Sequence, residues 1–257
     1  MFLAVDVGNT HVVLGLYNKD KLVKSWRLAS NRERTEDEMA VLIENLLNLE
    51  GEKIKGIQNM AIASVVPAIT ETFCRLSKKY LNIKPMLIQA GEDYGMPILM
   101  ESPQEVGADR IINGIAGYET YGGPLIIVDF GTANTFDCIS AKGEYLGGVI
   151  SAGINISMEA LFHKAAKLPR IDLVLPEHAL GKNTKESIQA GVFYGFAGQV
   201  DGIVKRLWQE IGSQTNVVAT GGLADMLFGV SETINIIDPL LTINGLNLLW
   251  QRKQNQK

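Results

Sequence analysis

Two short segments carry residue types that hold phosphate. Asp6-Val7-Gly8-Asn9-Thr10 closes one apolar run, and Asp129-Phe130-Gly131-Thr132 closes another. In each, a glycine admits close approach, and the adjoining Asn or Thr adds amide or hydroxyl groups to the backbone N–H donors. The aspartate at the head of each turn only accepts hydrogen bonds, which suits a hydrated Mg²⁺ or another cation. Taken singly, either segment reads better as an ordinary hairpin turn, where Asp, Gly and Asn are favoured. The two match in register, however. With Asp6 placed over Asp129, LAVDVGNTHVVL lies on IIVDFGTANTFD without a gap, and the turn Asn18-Lys19-Asp20 lies on Ala141-Lys142-Gly143. An internal repeat of this kind predicts two similar domains, each bringing one hairpin to the β- and γ-phosphates of a nucleotide.

Two further segments carry chemistry. Thr220-Gly221-Gly222 follows the apolar Val217-Val218-Ala219 and opens a helix near Leu223. A glycine pair there lets a flat ring lie against the backbone, so the segment reads either as an adenosine seat or as a plain connector. Gly107-Ala108-Asp109-Arg110 places a carboxylate beside a guanidinium. Aspartate can take a proton from an attacking hydroxyl, and arginine can grip a carboxylate or phosphate with two bonds. An ion pair near a helix start, where the dipole favours Asp, is the level alternative. Other resemblances fail on context. Asp129-Phe130-Gly131 spells a protein-kinase metal motif without the rest of that signature. Gly181-Lys182-Asn183-Thr184 resembles the end of a P-loop, but Pro176 occupies its first glycine position. His11, His163 and His178 lack metal-ligand spacing and read as surface or packing residues.

The elements that must position these segments follow from pattern. Strands are predicted at 1–7, 12–17, 22–26, 60–66 and 86–89, then at 124–130, 135–140, 145–150, 217–220 and 234–238. Thr35 and Glu38 form a capping box ahead of a helix through Met39, Leu42, Ile43, Leu46 and Leu47, stopped by Gly51. Further helices are expected at 68–81, 155–167, 185–211 and 240–251. Ser102, Pro103 and Glu105 read as N-cap, first helical residue and capping partner of a helix running to about Tyr121. Thr184 reads as the N-cap of the helix after it. The fold class expected is α/β: two similar domains, 1–117 and 118–257, facing across a cleft.

Composition narrows the function classes. Apolar residues are 46% of the 257 and charged residues 20%, enough for a packed core and against disorder. A formal charge of -4 offers no broad positive field for nucleic acid. Cys74 and Cys138 cannot build a zinc site and read as reduced thiols. Asp6 interrupts the N-terminal apolar run too early for a secretory signal, and no run is long enough to span a membrane. A soluble, cytoplasmic protein is expected.

Together these residues resemble the type III pantothenate kinases, of the acetate and sugar kinase, heat-shock chaperone and actin superfamily. Asp6 to Thr10 resembles that family's first phosphate motif, Asp129 to Thr132 its second, and Thr220-Gly221-Gly222 its adenosine motif. Glu105-Val106-Gly107-Ala108-Asp109-Arg110 is the most specific match, since the wider superfamily lacks it. The resemblance implies two ribonuclease H-like (actin-like) domains and ATP-dependent phosphorylation of pantothenate, the first step of coenzyme A synthesis. It also implies Mg²⁺, a monovalent cation such as K⁺ or NH₄⁺, and a homodimer.

By position, the resemblance implies that Asp6, Val7, Gly8, Asn9, Thr10, His11, Val12 and Val13 surround the ATP phosphates, with Asp6 near the Mg²⁺. It makes Asp109 the proton acceptor and puts Gly107, Ala108, Asp109 and Arg110 around pantothenate. Asp129 would bind the monovalent cation, Thr132 would contact ATP, and Thr184 would contact substrate, reaching the partner subunit's site. Where the family usually has a tyrosine, this chain has Met100. A thioether fills a similar volume but loses the phenol's hydrogen bond.

Overall fold

The structure is a computed structural model that describes residues 1–165 and 167–255. Ala166, which falls in the helix expected at 155–167, and the last two residues of the expected second domain lie outside the described residues. The chain divides into two compact units.

The first unit holds residues 1–95, 101–116 and the segment from Leu240 onward. Strands β1 (Phe2–Val7), β2 (His11–Asn18) and β3 (Lys21–Ala29) form an antiparallel meander. Helix α1 (Glu36–Leu49) leads to β4 (Asn59–Ser64), and α2 (Pro67–Leu76) leads to β5 (Met86–Ile88). Both β4 and β5 run parallel to β1, giving the sheet order β3-β2-β1-β4-β5. Alternation along β1 and β2 sends Leu3, Val5, Val7, Val12, Leu14 and Leu16 to one face, where α1 contributes Met39, Ile43 and Leu47 and α2 contributes Ile69, Phe73 and Leu76. The capping box at Thr35 forms: Thr35 Oγ1 accepts from the Glu38 N–H at 3.3 Å, and Glu38 accepts from the Thr35 N–H at 2.8 Å. A cap of this kind stabilises by about 1 kcal/mol.

The opposite face of that sheet is covered from far along the chain. Helix α7 (Leu241–Asn255) stacks Trp250 on Phe2, ring centroids 4.6 Å apart, and its Asn244 accepts a 2.7 Å hydrogen bond from the Tyr17 hydroxyl. Gly15 in β2 lets the helix approach, since a Cβ there would collide with Ile243. This changes the expected division, in which the final helix belonged to domain 118–257. Its apolar stripe fits the residues Phe2, Gly15 and Tyr17 expose on the first sheet, and burial of that face decides its place.

The second unit holds 96–100 and 117–239. Helix α3 (Ala108–Tyr121) passes from one unit into the next, and Gly117 lets it lie against β6 (Leu125–Phe130), where a Cβ would stand 2.8 Å from Ile127. Strands β7 (Ala133–Ile139) and β8 (Tyr145–Ala152) complete the meander with β6, and β9 (Asn216–Thr220) and β10 (Ile236–Ile237) run parallel to it. The order, β8-β7-β6-β9-β10, repeats that of the first sheet strand for strand. Ile126, Val128, Phe130, Phe136 and Cys138 pack against α4 (Ile154–Lys164) and the long α5 (Thr184–Ile211). A short helix, α6 (Ala224–Leu227), follows β9. No helix among the described residues is long and apolar enough to cross a membrane.

Candidate active site

The first hairpin turn lies between β1 and β2. The Gly8 N–H donates to the His11 carbonyl at 2.9 Å. Residues just beyond β3 pin the turn: Ser30 Oγ donates to the Gly8 carbonyl at 2.6 Å, the Ser30 N–H to the Thr10 carbonyl at 3.0 Å, and the Arg32 guanidinium to Asn9 Oδ1 at 3.2 Å. The side chains of Val7 and Val12 are buried in the core, so what they can offer a ligand is backbone. Asn9, Thr10 and His11 are exposed, and Val13 is half-buried. Desolvation, and then the positive charge of Arg27, hold the pKa of the exposed His11 below its usual value. Asp6 is the half-buried residue of an otherwise buried strand, flanked in register by Val13 on β2 and Ala63 on β4.

The second hairpin turn has the same plan with different neighbours. The Gly131 N–H donates to the Ala133 carbonyl at 3.1 Å, and the Gly153 N–H to the Thr132 carbonyl at 3.2 Å. Asp129 holds the position of Asp6, half-buried near the end of a buried strand, but threonines flank it: Thr135 on β7 and Thr220 on β9. Cross-strand neighbours stand about 4.5–5.5 Å apart at Cβ, within reach of hydroxyl and carboxylate. Gly221 then turns the chain with φ +89°, and a Cβ on it would collide with the Asp129 carboxylate and lie 2.7 Å from the N and O of Phe130. The glycine of the third sequence segment thus sits against the aspartate of the second.

The Gly107–Arg110 segment differs in its local structure from the expectation. Residues Pro103–Glu105 form a single 3₁₀ turn, Ser102 makes no side-chain cap, and α3 begins only at Ala108. Val106, extended and fully buried, separates the turn from the helix. Asp109 is therefore the second residue of its helix. It is half-buried, and its Oδ1 accepts the Arg110 N–H at 2.9 Å. Gly107 makes room for it, since a Cβ would stand 2.5 Å from that same oxygen.

Met100 ends a short strap, Met96–Met100, that belongs to the second unit. The strap joins the edge of that unit's sheet: the Tyr145 N–H donates to the Pro97 carbonyl and the Leu99 N–H to the Tyr145 carbonyl, both at 2.8 Å. Thr184 is exposed and is the first residue of α5; the N-cap is Asn183, whose Oδ1 accepts from the Glu186 N–H at 2.9 Å. Asn caps better than Thr, which explains the one-residue difference. Thr184 borders an open cavity of about 610 Å³ between α4 and α5, lined by Met158, Leu161, Ile188 and Phe196 among others.

The structure thus groups Asp129, Thr132, Thr220 and Gly221 in one unit, and Asp6 to Val13 and Gly107 to Arg110 in the other. Sequence reasoning overlooked Ser30 and Arg32, which have no motif of their own. It also overlooked Thr135 and Asp137, although an acid between Phe136 and Cys138 in an apolar strand was a visible signal. No group of three or more His, Cys, Asp or Glu able to hold a metal occurs among the described residues. Single carboxylates fit Mg²⁺ nonetheless, because that ion commonly takes one or two protein oxygens and completes its shell with water and phosphate.

The sequence profile of the type III pantothenate kinases matches residues 2–206. The chain belongs to that family. As a type III pantothenate kinase family member it is a phosphotransferase. A relative from Moorella thermoacetica named type III pantothenate kinase is 50% identical over 252 residues, spanning 98% of this chain and 99% of that one. Among solved structures, a Baf family protein from Campylobacter jejuni aligns with a TM-score of 0.60 at 22% identity, covering 98% and 99% of the two chains. The activator of 2-hydroxyisocaproyl-CoA dehydratase from Clostridium difficile, solved with bound ADPNP, aligns at 0.55 and 14% identity over 99% and 96%. At these identities the structural likenesses establish the fold: two actin-like domains.

Proposed function

We propose that the chain transfers the γ-phosphoryl group of ATP to the primary hydroxyl of pantothenate, forming 4′-phosphopantothenate, and that the residues described above divide the work. The observation that carries this reading is the pair of half-buried carboxylates, Asp6 and Asp129, at the same position of two matching sheets, each beside a tight hairpin turn. The turn residues from Asp6 to Val13, together with Thr132, hold the phosphates through backbone N–H groups and short polar side chains. Asp6 would hold Mg²⁺ through its carboxylate. Asp129 with its threonine neighbours forms an all-oxygen set suited to K⁺ or NH₄⁺. When bound, these cations supply charge neutralisation for phosphates and leaving group.

The substrate chemistry falls to the start of α3. Asp109 takes the hydroxyl proton as the oxygen forms its bond to the γ-phosphorus and the bond from that phosphorus to the β–γ bridging oxygen breaks, releasing ADP. Gly107, Ala108 and Arg110 line pantothenate, Arg110 pairing with its carboxylate. Met100 gives the pocket an apolar, adaptable wall. Thr184 contacts substrate bound to the second subunit of a homodimer. Its exposure at the rim of an apolar cavity, with Ile156, Leu161 and Tyr194 exposed on the same two helices, supports that assembly.

The test is Asp109→Asn, which keeps the size and removes the basic oxygen. Loss of a general base costs on the order of 10²–10⁴ in rate, while ATP affinity by calorimetry and melting temperature stay near wild type. A folded variant turning over within about threefold of wild type defeats the assignment.

A further inference from the structure

Asp137 is fully buried in β7, carries a carboxylate, and has no part in the chemistry above. It is held by two hydroxyls. Tyr145, itself fully buried, donates to Asp137 Oδ1 at 2.6 Å, and Thr135 Oγ1 donates to Oδ2 at 3.1 Å. A buried acid stripped of water is costly unless such bonds compensate it. The two donors lead in different directions. Thr135 lies directly across from Asp129. Tyr145 holds, through its own N–H and carbonyl, the strap that ends at Met100.

We propose that Asp137 is a positioning residue that ties the Met100 strap to the Asp129 hairpin, so that the placement of the acceptor's wall and the strength of the cation site depend on one buried carboxylate. The inference rests on the roles given above to Asp129 and Met100. The Tyr145 ring cannot turn without giving up the bond to Asp137, and Asp137 cannot shift without releasing the Thr135 hydroxyl beside Asp129. Removing the link loosens both ends at once. Groups standing one shell behind a metal ligand typically change metal affinity or activity by about 10–100-fold when altered.

Asp137→Asn and Tyr145→Phe are compared with Ser140→Ala in the full-length enzyme. Ser140 knits the β7–β8 turn, donating to Glu144 at 2.8 Å and accepting from the N–H groups of Lys142 and Glu144, so its loss reports structural damage in the same hairpin. In both relay variants the K⁺ activation constant and the KM for pantothenate rise together, each by about tenfold, with kcat at saturation little changed. Ser140→Ala lowers the melting temperature and leaves both constants alone. Relay variants that lose stability but keep both constants within about twofold, or that move only one of them, overturn the proposal. If the wild-type enzyme shows no K⁺ dependence, the cation assignment of Asp129 fails on its own, and an unchanged pantothenate KM then still defeats the relay. Tyr145→Phe removes one hydroxyl and no charge, so it carries the test if Asp137→Asn does not fold.

Discussion

The two hairpins share a strand order, a burial pattern and a turn, yet their aspartates live in different company. Asp6 stands between Val13 and Ala63; Asp129 stands between Thr135 and Thr220 with Gly221 pressed against it. The same strand order occurs twice, and the residues that flank each aspartate on neighbouring strands differ. Aliphatic neighbours in register suit a ligand that brings its own water and phosphate shell. Threonine neighbours would add hydroxyl oxygens to the one carboxylate, which suits the cation proposed for Asp129. The difference teaches that the chemistry of each turn is set by cross-strand neighbours as much as by the turn sequence.

The largest effect that bears on this contrast comes from the aspartates themselves. Asp6→Ala should lower the rate by about 10²-fold or more in any salt, as expected when a group stabilising transferred charge is lost. Asp129→Ala should instead remove the advantage of K⁺ or NH₄⁺ over Na⁺. Rate measurements in the three salts decide it, and equal salt responses of the two variants would erase the distinction.

The glycines give a smaller contrast. Gly221→Ala forces a non-glycine residue to φ +89° and into the Asp129 carboxylate. Its cost in unfolding free energy should be roughly 1–3 kcal/mol or more, with cation activation impaired. Gly8→Ala meets only the His11 carbonyl at 3.2 Å and has no left-handed backbone to strain. About 1 kcal/mol or less is expected there. Denaturant titration of the pair would show whether the second turn is the tighter one.

The smallest effect is a pH dependence. In the second unit, Asp201 on α5 accepts from the Ser231 hydroxyl at 2.6 Å, the Glu232 N–H at 3.1 Å, and both the hydroxyl and the N–H of Thr233. Burial pushes its pKa up, but these four donors outweigh it and leave the carboxyl below its usual value. A depressed native pKa means stability that is fully present above the unfolded value near 4 and lost as pH falls through the native value. Asp201→Asn should therefore flatten the acid limb of the melting-temperature profile while changing little at pH 7 in slope. An unaltered acid limb would assign that loss of stability to other carboxylates.

Much of this was legible along the chain, and what was legible was local. The capping box at Thr35 and the two hairpins are fixed by residues a few positions apart, and each occurs where expected. The helix expected from Ser102 starts at Ala108 because buried, extended Val106 interrupts it, a tertiary demand that capping residues do not announce. The placement of α7 was hidden for a related reason: an apolar stripe shows that a helix packs, not which sheet receives it. Asp137 and Tyr145 lie on neighbouring strands across a bulge, so no spacing rule pairs them.

That same helix α7 has a consequence for how the molecule is made. The strands of the first sheet are complete by Ile88, but the helix that shields Phe2, Gly15 and Tyr17 begins only at Leu241, some 150 residues later. At ribosomal speeds of about 5–20 residues per second, that interval is roughly eight to thirty seconds. Throughout it, the earliest-born apolar surface waits uncovered while the second half of the chain emerges. The first sheet thus receives the cover of its second face last, and a nascent chain that has not reached Leu241 lacks the helix that shields Phe2 and Tyr17.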